Sequence, residues 1–281
     1  IGRILVSNGT SINLEATAAA RTLTLGNNLS PDTLLTISPG STLKLGATGA
    51  NQISMGFTTH SPLSAKTNIQ GTIDIDVNTA LNNTLNFTNL VAADNVITGT
   101  INNNGGVVTS TIPQTTMDAT AVYNHNRDGG AVMGATWNTA STCNITGVVA
   151  AEPTNFAFQT FGNLNWNPSG TQTVAAAFYR PGSGSTGSIG INGNFRVYNT
   201  GTGSLSFISN TSTGGLNLTI GGDMTIDDGT VYANNGTNNF SYSYVSLKGN
   251  YSQTGGSFSN NNSGAVGNTF SFTNAATNKT F

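Results

Sequence analysis

Short runs of alternating apolar and polar residues recur along this chain at a nearly fixed interval. The clearest copies are Ile189-Gly190-Ile191-Asn192-Gly193-Asn194-Phe195, Leu216-Asn217-Leu218-Thr219-Ile220-Gly221-Gly222-Asp223-Met224 and Val245-Ser246-Leu247-Lys248-Gly249-Asn250-Tyr251. Each is an alternating run, a Gly-Asn or Gly-Asp step and a large apolar residue. The marker glycines Gly193, Gly222 and Gly249 stand 29 and 27 residues apart, and each is followed by a second step: Gly201-Thr202, Gly229-Thr230, Gly256-Ser257. Strict alternation bounded by Gly and Asn predicts strands with one buried face. A fixed period in this range predicts stacked supersecondary units.

The N-terminal third repeats a related phrase. Gly9-Thr10-Ser11-Ile12-Asn13-Leu14 returns as Gly40-Ser41-Thr42-Leu43-Lys44-Leu45, as Gly71-Thr72-Ile73-Asp74-Ile75 and, more faintly, as Gly99-Thr100-Ile101, at intervals of 31, 31 and 28. Leu23-Thr24-Leu25, Leu35-Thr36-Ile37 and Leu85-Asn86-Phe87 add further strands between these markers. Two or three strands per period of 27–31 residues is the content of one coil of a β-solenoid. Gly and Asn fit its corners because they tolerate left-handed backbone. Asparagines at equivalent corners are expected to form side-chain ladders. No segment reads as an amphipathic helix; the alanine-rich run Glu15 to Ala20 lacks an apolar stripe and predicts a wide turn.

The expected fold is therefore all-β, a parallel β-helix of 27–31-residue coils. Three regions follow: N-terminal coils over 1–112, an irregular insertion or loop-bearing coil over 113–160, and C-terminal coils over 161–281. The middle region breaks the period and gathers His125, Arg127, Asp128, Trp137, Cys143 and Glu152. A string of antiparallel sandwiches would show turns every 8–12 residues in modules near 100, which this repeat does not. Both ends read as uncapped strand edges, which predicts a segment of a longer chain.

Composition sharpens this picture. Only 7% of residues are charged, the net charge is −2 and 36% are hydrophobic, so the chain is expected to fold with polar, uncharged surfaces. That leaves no electrostatic footprint for nucleic acid, and no apolar run is long enough to span a bilayer. Cys143 is the one cysteine, so no intrachain disulfide is possible.

Candidate chemistry is sparse. Asp74 and Asp76 alternate on one strand and predict a solvated face; Asp227-Asp228-Gly229 predicts a turn. Neither supplies the flanking pair that glycoside hydrolysis requires. His125-Asn126-Arg127-Asp128-Gly129-Gly130 is the most enzyme-like string, since His beside Asp and Arg can do acid–base work. The preferred reading is a hydrogen-bonded turn fixed by Arg127 and Asp128. Two distant histidines (His60 and His125) and one cysteine make no zinc spacing, so neither a metal nor another cofactor is expected. Cys143 reads as a small buried hydrophobe.

Tyr123 to Gly130, Ala135-Thr136-Trp137-Asn138, Ser141-Thr142-Cys143, Thr146-Gly147-Val148 and Gln159 to Asn167 resemble segments of large Bacteroidota surface proteins, as do the Gly-Asn coils after them. The resemblance covers residues 120–260 and extends to the N-terminal coils in style. Such proteins are repetitive β-helix adhesins exported by type IX secretion. The resemblance implies a right-handed β-helix, an extracellular or cell-surface location, export machinery as a partner and no catalytic residues. The expected function is a non-enzymatic structural or adhesive segment that contacts surface glycans, other cells or copies of itself. The alternative is a carbohydrate-active β-helix, with His125, Arg127 and Asp128 lining a cleft beside Trp137 or Trp166.

Overall fold

The computed structural model describes residues 2–26, 33–46, 51–58, 65–77, 82–90, 93–182, 184–209, 213–237, 241–261 and 267–273. It is an all-β solenoid, with every named strand pair parallel. Parallel strands need a crossover, so the chain returns to each sheet once per coil. The chain divides into two units, residues 1–127 with 131–141, and residues 128–130 with 142–281.

In the first unit the marker repeats fall into register. Strands Ser11–Leu14, Thr42–Leu45, Thr72–Asp76, Thr100–Asn104 and Val122–His125 pair in that order. Ile12, Leu43, Ile73, Ile101 and Tyr123 stand opposite one another, and all but Ile12 are fully buried. Each such inward side chain contributes roughly 1.5–3 kcal/mol. A second sheet runs from Ile4–Val6 through Thr33–Ile37, Lys66–Ile69, Asn95–Ile97 and Thr116–Met117 to Thr136–Trp137. A third pairs Arg21–Leu25, Ile53–Phe57, Thr84–Asn86 and Val107–Thr109. Buried Asn83 closes a corner among them: its amide donates to the Asp76 carbonyl at 2.8 Å, and its Oδ1 accepts from Ile53 N–H at 2.9 Å. The alanine-rich run forms bends, with Ala16 bridged to Asn51.

The stretch 113–160 keeps parallel strands, and its irregularity is one of coil length. Asn102 and Asn124 occupy equivalent sites only 22 residues apart, and Asn144 and Asn165 only 21. Thr116–Met117, Thr136–Trp137 and Thr160–Phe161 are two-residue strands, with Val122–His125 and Thr142–Ile145 between them in the chain. A 3₁₀ turn, Ile112–Gln114, precedes them.

The second unit restores the longer coil. One sheet pairs Thr142–Ile145, Asn163–Trp166, Phe195–Val197, Met224–Ile226 and Tyr251–Gln253. Phe195, Met224 and Tyr251, the large apolar residues after each Gly-Asn or Gly-Asp step, stand in register. The corner glycines Gly201, Gly229 and Gly256 all have positive φ (58°, 94° and 65°), the backbone that glycine alone adopts freely. The marker glycines serve close approach instead. Gly249 N–H donates to the Gly222 carbonyl at 3.0 Å, and a Cβ on Gly249 would lie 2.1 Å from that oxygen. Two further sheets, Thr160–Phe161 to Thr269–Phe272 and Ala175–Tyr179 to Ser257–Ser259, enclose an aromatic core. There Phe156 and Phe178 ring centres lie 4.9 Å apart, and Phe178 stacks on Phe207 at 6.0 Å.

Candidate functional site

The outward side chains of the coils are tied to one another by amides. In the first unit Lys44 pairs with Asp74 at 3.9 Å, Asn102 donates to Asp74 at 2.7 Å, and Asn124 donates to Asn102 at 2.7 Å. A parallel row runs from Asn126 to Asn104 to Asp76, each step 2.8 Å. Asp74 and Asp76 do share a face, and each is engaged as an acceptor. In the second unit the Gly-Asn corners form their own ladder. Asn194 N–H donates to Asn163 Oδ1, Asp223 N–H to Asn194 Oδ1 and Asn250 N–H to Asp223 Oδ1, at 2.9, 2.8 and 2.7 Å.

His125 and Trp137 lie inside the first unit. Alternation along Val122–His125 turns Tyr123 and His125 inward, and both are fully buried. The Tyr123 hydroxyl meets His125 Nδ1 at 3.1 Å and accepts from Asn103 at 3.3 Å. Trp137 packs edge-on to Tyr123 at 6.3 Å between ring centres. Arg127 donates to the Gly106 carbonyl. Trp166 belongs to the core of the second unit, fully buried, with its indole N–H given to Gln172 at 2.9 Å. His125 and Trp137 are thus brought together around Tyr123, in the core of the unit.

Asp128 is exposed, and its carboxylate accepts from the backbone N–H groups of Val149, Ala150 and Ala151 at 2.8–3.0 Å. Partial desolvation raises its pKa, and the bonds from Val149, Ala151 and Ala150 outweigh that and hold it below the usual 3.8. This is a turn-fixing role. Asp227 accepts from Arg196 Nε at 2.6 Å, and Asp228 caps its own turn through Gly229 N–H at 2.7 Å. Cys143 is fully buried, and burial pushes its thiol pKa upward, away from reactivity. Among the described residues no group of three or more His, Cys, Asp or Glu could hold a metal ion. His60 lies outside the described residues.

A cleft that sequence reasoning missed opens in the second unit, between the loop Glu152 to Phe158 and the strand Ala175–Tyr179. It encloses about 410 Å³. Its floor is the buried pair Phe156 and Phe178, and its rim carries Phe158, 63% exposed. Arg180 and Glu152 form a two-pronged ion pair at its edge, Nε to Oε1 at 2.5 Å and Nη2 to Oε2 at 2.9 Å. Glu152 had only its rarity as a signal; its partner lies 28 residues on.

No protein-family model, curated protein or solved structure matches this chain. The fold that the strands define is a parallel β-solenoid, an architecture that enzymes and non-enzymes share, so function rests on the site alone. No helix among the described residues is long and apolar enough to cross a membrane.

Proposed function

We propose that this chain is a non-enzymatic structural and adhesive β-helix segment of a bacterial surface protein, located outside the cell. The observation that carries this reading is the use to which the chain puts its polar side chains. Outward Asn and Asp residues are spent on ladders between coils, and Asp128, Arg127 and His125 on fixing turns and filling the core. What remains is a large polar surface of low charge, suited to multivalent, non-covalent contact with surface glycans, other cells or further copies of the chain. The resemblance to Bacteroidota adhesins fits the same role and brings type IX export with it.

The test is adhesion. Beads coated with the chain are expected to bind intact bacterial or host cells, or one another, above the level of beads coated with an unrelated protein. Absence of adhesion in all three pairings, or hydrolysis of a polysaccharide by the chain, would overturn the reading.

A further inference from the structure

We propose that the cleft between residues 152–158 and Ala175–Tyr179 is a binding site for a neutral saccharide. The inference deepens the adhesive reading and rests on it for the class of partner.

Local geometry sets this loop apart. Asn155 and Phe158 both have positive φ, 70° and 64°, within four residues of chain. Asparagine tolerates that conformation; a bulky aromatic does so only when its surroundings impose it. Here the surroundings do. Phe158 N–H donates to the Ser188 carbonyl at 2.6 Å, and Gln159 N–H returns to Phe156 at 3.3 Å. The outcome is a phenyl ring held at the rim with 63% of the residue exposed, above a floor of two buried rings. A strained backbone that presents an apolar face to solvent beside a cleft fits a ligand platform.

The polar groups narrow the ligand. Glu152 receives Arg180 and also the N–H of Ala177 at 2.9 Å, while Arg180 gives further bonds to Ser209 at 3.0 Å and to the Ala175 carbonyl at 2.8 Å. The pair is therefore oriented, and it is neutral overall. Of the five guanidinium N–H groups, one on Nη1 has no partner among the described residues, and the carboxylate, which already accepts three bonds, retains about one acceptor site, on Oε1. An anionic sugar or phosphate drawn to Arg180 would lie beside the Glu152 carboxylate, and like charge disfavours it there. A peptide would look for backbone partners, yet the N–H groups of Thr154, Phe158 and Ala177 are already given away. A neutral sugar meets each condition: its apolar ring face covers Phe158, and its hydroxyls can both donate to Glu152 and accept from Arg180. The cleft volume of about 410 Å³ falls in the range of small-ligand pockets, roughly 300–1,000 Å³.

The test is calorimetric titration of the whole chain with neutral oligosaccharides (glucan, mannan, xylan and galactan fragments), uronic-acid oligosaccharides and a mixed peptide library. Phe158→Asn removes the ring and suits the left-handed backbone; Phe158→Trp keeps an aromatic face; Tyr244→Ser removes an exposed ring elsewhere in the unit. Expected is binding of at least one neutral oligosaccharide, weakened roughly tenfold or more by Phe158→Asn, retained by Phe158→Trp and unchanged by Tyr244→Ser. Binding that Phe158→Asn leaves intact would overturn the cleft while leaving glycan adhesion standing. Binding confined to uronic-acid sugars or peptides would overturn the ligand class. Adhesion to cells without binding to any probe would overturn the site alone, and loss of both would overturn the adhesive reading with it.

Discussion

The Oδ1 of Asn194 accepts the backbone N–H of Asp223 at 2.8 Å, across 29 residues of chain and one step of the corner ladder. Asp223 repeats the gesture toward Asn250. Asn and Asp share the one property this position needs, a short side chain ending in an acceptor oxygen. That explains why Gly193-Asn194 and Gly222-Asp223 are equivalent despite their difference in charge.

Asn194→Ala is accordingly expected to lower unfolding free energy by about 1 kcal/mol, the net worth of one hydrogen bond at a solvent-accessible corner. Asn194→Asp preserves the acceptor and should stay close to the parent. Urea denaturation of the three proteins checks this. An alanine variant as stable as the parent would show that the ladder contributes nothing.

Gly249→Ala is expected to destabilise by about 1–3 kcal/mol, because its Cβ would stand 2.1 Å from the Gly222 carbonyl oxygen and backbone must shift to admit it. Gly267 provides the contrast, with nothing within 4 Å of its added Cβ. Gly267→Ala should leave the melting temperature unchanged or slightly raised. Equal losses for both variants would show that the loss does not depend on the space around the added Cβ, and the close-approach account would be wrong.

Asp128 sets a pH dependence. Its folded pKa lies below 3.8 because three backbone N–H groups favour the charged form. A depressed carboxyl stabilises the fold above its unfolded-chain pKa, and the contribution is lost as pH falls through the folded value. The carboxyl carbon signal of Asp128 should therefore titrate below 3.8, and parent stability should fall with acid more steeply than that of Asp128→Asn over this window. A midpoint at or above 3.8 would remove the turn-fixing role.

Much of the fold was legible because its signals are local and repeated. Gly9, Gly40, Gly71 and Gly99 each precede a strand, and the first and last of these pairings follow the marker spacings of 31 and 28, whereas Leu43 meets Ile73 after 30 residues, one fewer than Gly40 to Gly71. The coils within 113–160 were harder to read, since strands such as Thr116–Met117 and Thr136–Trp137 are too short to show alternation. Once Tyr123 is placed opposite Ile101, His125 must face inward beside Asn103, and its enzyme-like sequence neighbours follow a different path. The cleft was illegible for another reason. Nothing in Asn155-Phe156-Ala157-Phe158 signals a left-handed phenylalanine, and Glu152 meets Arg180 only through the stacking of coils.

The register of the coils underlies all of this, and a disulfide test reads it most directly. Thr219 and Ser246 stand opposite one another on strands Gly214–Ile220 and Ser241–Leu247. Parallel neighbours lie about 4.8 Å apart, within the roughly 4.4–6.8 Å that a disulfide spans. In a Cys143→Ala background, Thr219→Cys with Ser246→Cys should oxidise readily to an intramolecular bond, and Thr219→Cys with Tyr244→Cys, two residues out of register, should not. Failure of the first pair, or ready closure of the second, would contradict the parallel in-register solenoid and the ladders and cleft built on it.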